Sequence, residues 1–366
     1  MADRTKIEWS DATWNPITGC DIVSPGCTNC YAMRLAGTRL KKHPSRAGLT
    51  RNTKAGPVWT GAARFNEKAL LDPLRWTRPR MIFVVAHGDL FAEAVPDAWI
   101  DQVFAVMALC PQHTFQILTK RPERMRDYLT RAAGNGRQDI RNHLAWEVTG
   151  QVMNLWHPDW RSENVDGRHR RRAIAAFCSW PLPNVWLGVS VEDQKRADER
   201  IPPLLDTPAA LHWLSAEPML GPLDLEPWMT WPDKLVELPN GDYWGCIGCE
   251  NAPCDKCPNR RAVYHCEVGP MGADGVPAYV SDERRTLGWI VAGGESGPSA
   301  RPAHPDWFRS LRDQCAAAGT PFLFKQWGNH RPCSDASGFY MLPCSKAEAG
   351  RLLDGQLHDE FPALAK

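Results

Sequence analysis

Three thiols fall within eleven residues, at Cys20, Cys27 and Cys30, in a loop that Gly19, Pro25 and Gly26 hold open just before a helix-like segment. Three thiolates from one loop can ligate three irons of a 4Fe–4S cluster and leave the fourth iron open to a small molecule. A structural zinc site needs a fourth ligand, and none is close in sequence. A zinc loop completed from a distance, or a Cys-rich loop holding no metal, remains an alternative on these residues alone.

A second group is built from two Cys-x-x-Cys pairs, Cys246 with Cys249 and Cys254 with Cys257, followed by His265 and Cys266. Paired knuckles of this kind point to a bound metal. The short spacing between the pairs suits a site that uses three of the four thiols and borrows Cys266 or His265. Pro258 after the last knuckle also suits a ferredoxin-type loop, so zinc and a second iron–sulfur cluster both stay open. Cys110, Cys178 and Cys315 sit in apolar, helix-like surroundings and read as core residues, while Cys333 and Cys344 carry no signal.

The elements that must position these groups alternate. Short β-rich apolar runs begin at Met81, Thr114, Val185, Leu211, Trp289 and Pro321, and a further strand is expected near Thr13 to Thr18. Helical periodicity follows at Pro96 to Leu109, Pro122 to Ala133, Gln194 to Leu205 and Pro305 to Ala318, the last closed by Gly319. Strands apolar on both faces, alternating with helices, predict a parallel sheet, here a full or partial (βα) barrel. A doubly wound open sheet is the competitor. The expected division is a first barrel part over 1–221, a Cys-rich metal-binding insertion over 222–285, the last barrel strands over 286–330 and a tail over 331–366. The polar stretch from about Arg34 to Pro73 shows no clear periodicity.

Residues just past barrel strands converge on one mouth. Here they are Asp89, Lys120, Arg121, Ser190, Glu192, Glu217, Gly293, Gly294, Glu295 and Lys325, together with the Cys20 to Cys30 loop. A charge at the end of an apolar strand is costly unless paired or bound to ligand. A ring of mutual salt bridges is the simpler explanation, and a ligand site the more interesting one.

A three-Cys loop ending in Cys27-Thr28-Asn29-Cys30-Tyr31-Ala32 after the first strand of a (βα) barrel resembles the radical S-adenosylmethionine superfamily. The loop departs from the usual pattern by six residues instead of three between the first two thiols, and by Asn29 where an aromatic residue is usual. The chain as a whole resembles an uncharacterised phage-associated family with radical-SAM-like features. The landmarks are Lys6-Ile7-Glu8-Trp9 with Thr13-Trp14-Asn15-Pro16, Ile117 to Pro122, Leu187 to Glu192, Gly293 to Gly297 and Phe324 to Gly328.

The resemblance implies a cluster on Cys20, Cys27 and Cys30, S-adenosylmethionine on its open iron, and a 5′-deoxyadenosyl radical that takes hydrogen from a substrate. Under it, Ser190 and Glu192 would meet the ribose, and Lys120 or Arg121 the cofactor carboxylate. Gly293 and Gly294 would allow close backbone approach beside Glu295. Lys120, Glu217 and Lys325 are the candidate catalytic groups. The alternatives are a non-catalytic scaffold of the same fold that binds nucleic acid or a partner protein, and a zinc-dependent hydrolase using the strand-end carboxylates, which lack a His-rich ligand set.

Lys and Arg number 43 against 42 Asp and Glu, so the molecule as a whole is no polycation, and any polyanion must be met locally. The segment from Arg34 to Asn66 contains no acid and carries Arg34, Arg39, Lys41, Lys42, Arg46, Arg51, Lys54 and Arg64; a second basic run spans Arg168 to Arg172. Both could neutralise phosphates, so DNA or RNA is the expected partner class, against the plainer reading of solvated loops. No apolar run approaches the roughly 18–20 residues that cross a bilayer. The charged start at Asp3, Arg4 and Lys6 and the clustered thiols are those expected of a cytoplasmic chain with no membrane partner.

Overall fold

The computed structural model describes residues 5–130, 148–156, 181–229, 264–271, 277–283, 286–336 and 338–363. Seven strands form one sheet, parallel throughout, whose spatial order follows the chain: β1 Ala12–Trp14, β2 Met81–Val84, β3 Thr114–Thr119, β4 Val185–Ser190, β5 Leu211–Ala216, β6 Leu287–Gly293 and β7 Phe322–Gln326. A doubly wound sheet would reverse its strand order part way along, and this one does not.

Successive side chains of a strand point to opposite faces, and the two faces are buried differently. On the outer face Phe115, Ile117, Leu187, Leu214, Ile290 and Phe324 join the large core shared with the helices α2 Asp97–Leu109, α3 Pro122–Thr130, α5 Gln194–Leu205 and α6 Pro305–Ala318. Two further helices, α1 Tyr31–Gly37 and α4 Thr149–Trp156, precede β2 and β4. On the inner face Trp186, Trp213 and Trp289 form a second core with Phe83 and with Trp9, which precedes β1. Gly188 makes room for this layer, because a Cβ there would come within 2.5 Å of the Trp213 ring.

Trp9 also reports the curvature. Its ring lies 4.7 Å from Phe83 on β2, 5.1 Å from Trp213 on β5 and 6.5 Å from Trp289 on β6. In a flat sheet β2 and β6 would be four strand spacings, about 19 Å, apart, beyond the reach of one indole. The sheet is therefore curled into a half-barrel, with an aromatic plug at the amino ends of its strands. β1 and β7 do not pair with each other. The free edge of β7 is covered by the C-terminal segment, where the Phe324 amide donates to His358 O at 2.9 Å and the Glu360 amide to Phe322 O at 3.2 Å.

The helix limits at Gln194, Leu205, Pro305 and Ala318 agree with the sequence reading. Asp193 caps α5 by accepting from the Arg196 amide, and Gly319 closes α6 at φ 65°. The first strand is shorter than expected. It stops at Trp14, and Ile17–Thr18 instead pair antiparallel with Arg64–Phe65. The helix-like segment after Cys30 is α1, and the stretch without clear periodicity that follows holds a hairpin of Thr50–Thr53 with Gly56–Trp59. The tail forms two further hairpins, His330–Asp335 with Gly338–Pro343 and Leu352–Leu353 with Gln356–Leu357. Cys246, Cys249, Cys254, Cys257 and the Arg168 to Arg172 run lie outside the described residues. Cys266 lies on Tyr264–Met271, which pairs antiparallel with Pro277–Glu283.

Candidate functional site

The carboxyl ends of the strands gather the predicted polar groups around the Cys20 to Cys30 loop. Inward-facing positions bring Lys120 from the end of β3 to Ser190 on β4, with Nζ donating to Oγ at 2.5 Å, and within 3.9 Å of Glu192. Ser190 Oγ donates in turn to Glu217 O at 3.2 Å. Across the mouth, Lys325 Nζ from β7 donates to the Glu217 carboxylate at 3.2 Å, which also accepts from Ser215 Oγ at 3.3 Å. The three candidate catalytic groups, Lys120, Glu217 and Lys325, thus face one interior together with Ser190, the residue expected to meet the ribose.

The cysteine loop is held at three points. At its start, Arg121 Nη1 donates to Asp89 at 2.9 Å and lies 3.7 Å from Cys20 Sγ. In its middle, the Gly26 amide donates to Glu192 Oε1 at 3.2 Å, and the other oxygen of Glu192 accepts from Arg200 at 3.0 Å. At its end, Asn29 Nδ2 donates to Glu295 at 2.9 Å. Arg301 pairs with the same carboxylate through Nε at 2.8 Å and Nη2 at 2.5 Å, and donates to Pro25 O at 3.0 Å. Glu192 and Glu295, both expected to face a cofactor, are occupied as anchors of the loop. Burial would raise both carboxyls, but Lys120, Ser24 and Arg200 around Glu192, and Arg301 and Asn29 around Glu295, hold them below the usual carboxylate range.

The expected close approach at Gly293-Gly294 is to protein. A Cβ on Gly293 would lie 2.5 Å from Glu217 Oε1, and one on Gly294 would lie 2.0 Å from Trp327 O. Replacing Gly293 by Ala should therefore displace Glu217 from Lys325 and lower stability by about 1–3 kcal/mol, read as a fall in the thermal midpoint.

Among the described residues no three His, Cys, Asp or Glu side chains lie close enough to share a single metal ion. Cys30 lies within electrostatic reach of both Cys20 and Cys27. Burial pushes the Cys20 thiol up to about 12, with Asp89 adding to the rise and Arg121 opposing it, and burial raises Cys30 as well. Such thiols are neutral without a metal, and a bound metal is what would deprotonate them.

Sequence reasoning missed Arg200 and Arg301, which neutralise the two loop anchors, and Asn29 as a bond to Glu295. It also missed what Tyr31 does: its hydroxyl donates to Ala86 O at 2.5 Å while its residue stays 53% exposed at the lip of the mouth. The eight cations between Arg34 and Arg64 have no carboxylate within 4.0 Å among the described residues, whereas Arg75, Arg121, Arg124, Arg126 and Arg196 all do.

Fold and site together define an α/β half-barrel whose carboxyl mouth presents a three-thiol loop beside two half-buried lysines. The chain belongs to the family described as protein of unknown function (DUF5131), whose model matches residues 4–362. No curated protein and no solved structure matches it. No helix among the described residues is long and apolar enough to cross a membrane.

Proposed function

We propose that the chain is an iron–sulfur protein of the radical S-adenosylmethionine type, acting on a nucleic acid. The observation that carries the reading is the placement of Cys20, Cys27 and Cys30 on one braced loop at the carboxyl mouth, where Lys120, Ser190, Glu217 and Lys325 converge. When bound, a 4Fe–4S cluster with an open iron would supply the electron that turns S-adenosylmethionine into a hydrogen-abstracting radical.

The chain's own residues supply the rest. Lys120 is a cation at the mouth suited to the cofactor carboxylate, and Ser190 a hydroxyl suited to the ribose. The Glu217–Lys325 pair is a proton donor and acceptor facing the same space. The tryptophan plug closes the opposite end to water, which strengthens every charge interaction inside. The polyanion part of the reading is supported by the acid-free segment, whose cations are left without carboxylates beside the mouth.

Anaerobic reconstitution with iron and sulfide, followed by EPR of the reduced protein, tests the cluster. Wild type should take up about four irons per chain, and the Cys20→Ala/Cys27→Ala/Cys30→Ala variant should lose the signal. A variant that keeps the same signal and iron content overturns the assignment. Dithionite-dependent release of 5′-deoxyadenosine separates an enzyme from a scaffold: a fully loaded protein that releases none is the scaffold.

A further inference from the structure

Among the described residues three arginines are buried, namely Arg46, Arg121 and Arg200. Arg121 and Arg200 each have a carboxylate, at 2.9 and 3.0 Å. Arg46, only 7% exposed, has none among the described residues. Its Nη1 donates to Ser45 O at 3.2 Å and Ser45 Oγ at 2.7 Å, and its Nη2 meets His87 Nδ1 at 2.5 Å. A guanidinium carries five N–H donors, so two remain and the full charge is unanswered.

The neighbours do not answer it. Burial, and then the charge of Arg46 itself, pushes His87 down to about 4, so the ring is neutral; with Nδ1 accepting from Arg46, its proton sits on Nε2, a second donor. Burial likewise pushes Arg46 down to about 10, which still leaves it charged at neutral pH. A buried cation held by neutral partners alone is costly, and the usual remedy is an anion.

The position is at the rim of the mouth. The Gly19 amide, one residue before Cys20, donates to His87 O at 3.2 Å, and Thr18 Oγ1 donates to Ser45 O at 2.6 Å. The His87 ring stands edge-on to Tyr31, with centroids 6.2 Å apart.

We propose that Arg46 and His87 form a seat for one phosphate group, filled by a phosphodiester of a nucleic-acid strand that runs over the basic segment toward the cysteine loop. The guanidinium fork suits a tetrahedral oxyanion, and the neutral His87 ring holds it in place by accepting from Nη2 through Nδ1. Tyr31, ring exposed and hydroxyl pinned, offers a face on which an adjoining base can stack. The source of the phosphate rests on the polyanion reading above, whereas the chemistry of the seat does not.

Two probes keep these apart. The first is the affinity for a roughly 20-nucleotide single strand, measured across a series of KCl concentrations for wild type, Arg46→Gln and Arg46→Lys. Arg46→Gln should weaken binding about tenfold at low salt and lower the log–log salt slope by about one. Arg46→Lys should keep the slope and lose a few-fold in affinity, because a point charge replaces the fork. The second probe is the thermal midpoint with added inorganic phosphate or pyrophosphate, which should rise for wild type and stay flat for Arg46→Gln.

Should Arg46→Gln not fold, Arg46→Lys decides, since it keeps the charge. Variants that match wild type with both probes overturn the seat. Phosphate stabilisation that depends on Arg46, without any oligonucleotide binding, keeps the seat and removes nucleic acid as its source. Oligonucleotide binding that ignores Arg46 does the reverse.

Discussion

Replacing Glu192 by Gln lowers stability by about 3–5 kcal/mol, the range for breaking a buried ion pair from one side. The carboxylate is fully buried, and it answers Arg200 at 3.0 Å, the Gly26 amide at 3.2 Å and Lys120 at 3.9 Å. The amide keeps the shape and one acceptor oxygen but removes the charge, leaving the guanidinium of Arg200 buried with neutral acceptors alone, Ser190 O at 2.7 Å among them. The loss should appear as a lower urea midpoint. Adding Arg200→Met should recover part of it, because both buried charges are then gone. A single substitution that leaves the midpoint within error would show that the pair does not brace the loop.

The same carboxyl sets a pH dependence. Its folded pKa lies below its unfolded value, since Lys120, Ser24, Arg200 and Gly26 outweigh the rise from burial. Its contribution is therefore complete above the ordinary carboxylate range and is lost as pH falls through the folded value. Wild type should lose stability on acidification below about pH 4 more steeply than Glu192→Gln.

Trp9→Ala is expected to cost about 3–5 kcal/mol, as for other large aromatics deleted from a core. The indole is 2% exposed and packs on β2, β5 and β6 together, so its removal opens a cavity that no single neighbour can fill. Its Nε1 has no partner among the described residues, so the N–H adds nothing that Phe would lack. Trp9→Phe should therefore lose only about 1 kcal/mol. Equal losses in the two variants, measured by urea unfolding, would contradict the packing account.

How much of this could be read from the chain depends on the range of the forces involved. The limits of α5 and α6 are set locally, by the Asp193 cap and by Pro305 and Gly319, and were legible to the residue. The convergence of Lys120, Ser190, Glu217 and Lys325 was legible because strand ends of a (βα) unit share a side. The early end of β1 was harder: Thr13 to Thr18 reads as one β-rich run, yet Ile17 and Thr18 turn to a distant partner at Arg64 and Phe65. What each carboxylate does was not legible at all. Glu192 and Glu295 look alike from sequence, as strand-end acids free to meet a ligand, and only packing brings Gly26 and Asn29 against them. The Arg46–His87 contact joins residues 41 apart, and no local pattern marks it.

The tryptophan plug has a consequence for biosynthesis. Because the strands are laid down in the order in which they pair, each can dock on its predecessor as it leaves the ribosome, a local and rapid route. Trp9 cannot follow it. Its partners Trp213 and Trp289 emerge late, and at about 5–20 residues per second the interval is roughly 15 s to a minute. For that time a large apolar ring near the start of the chain stays without its final shelter, and nascent chains stalled before β6 are the ones expected to recruit a chaperone.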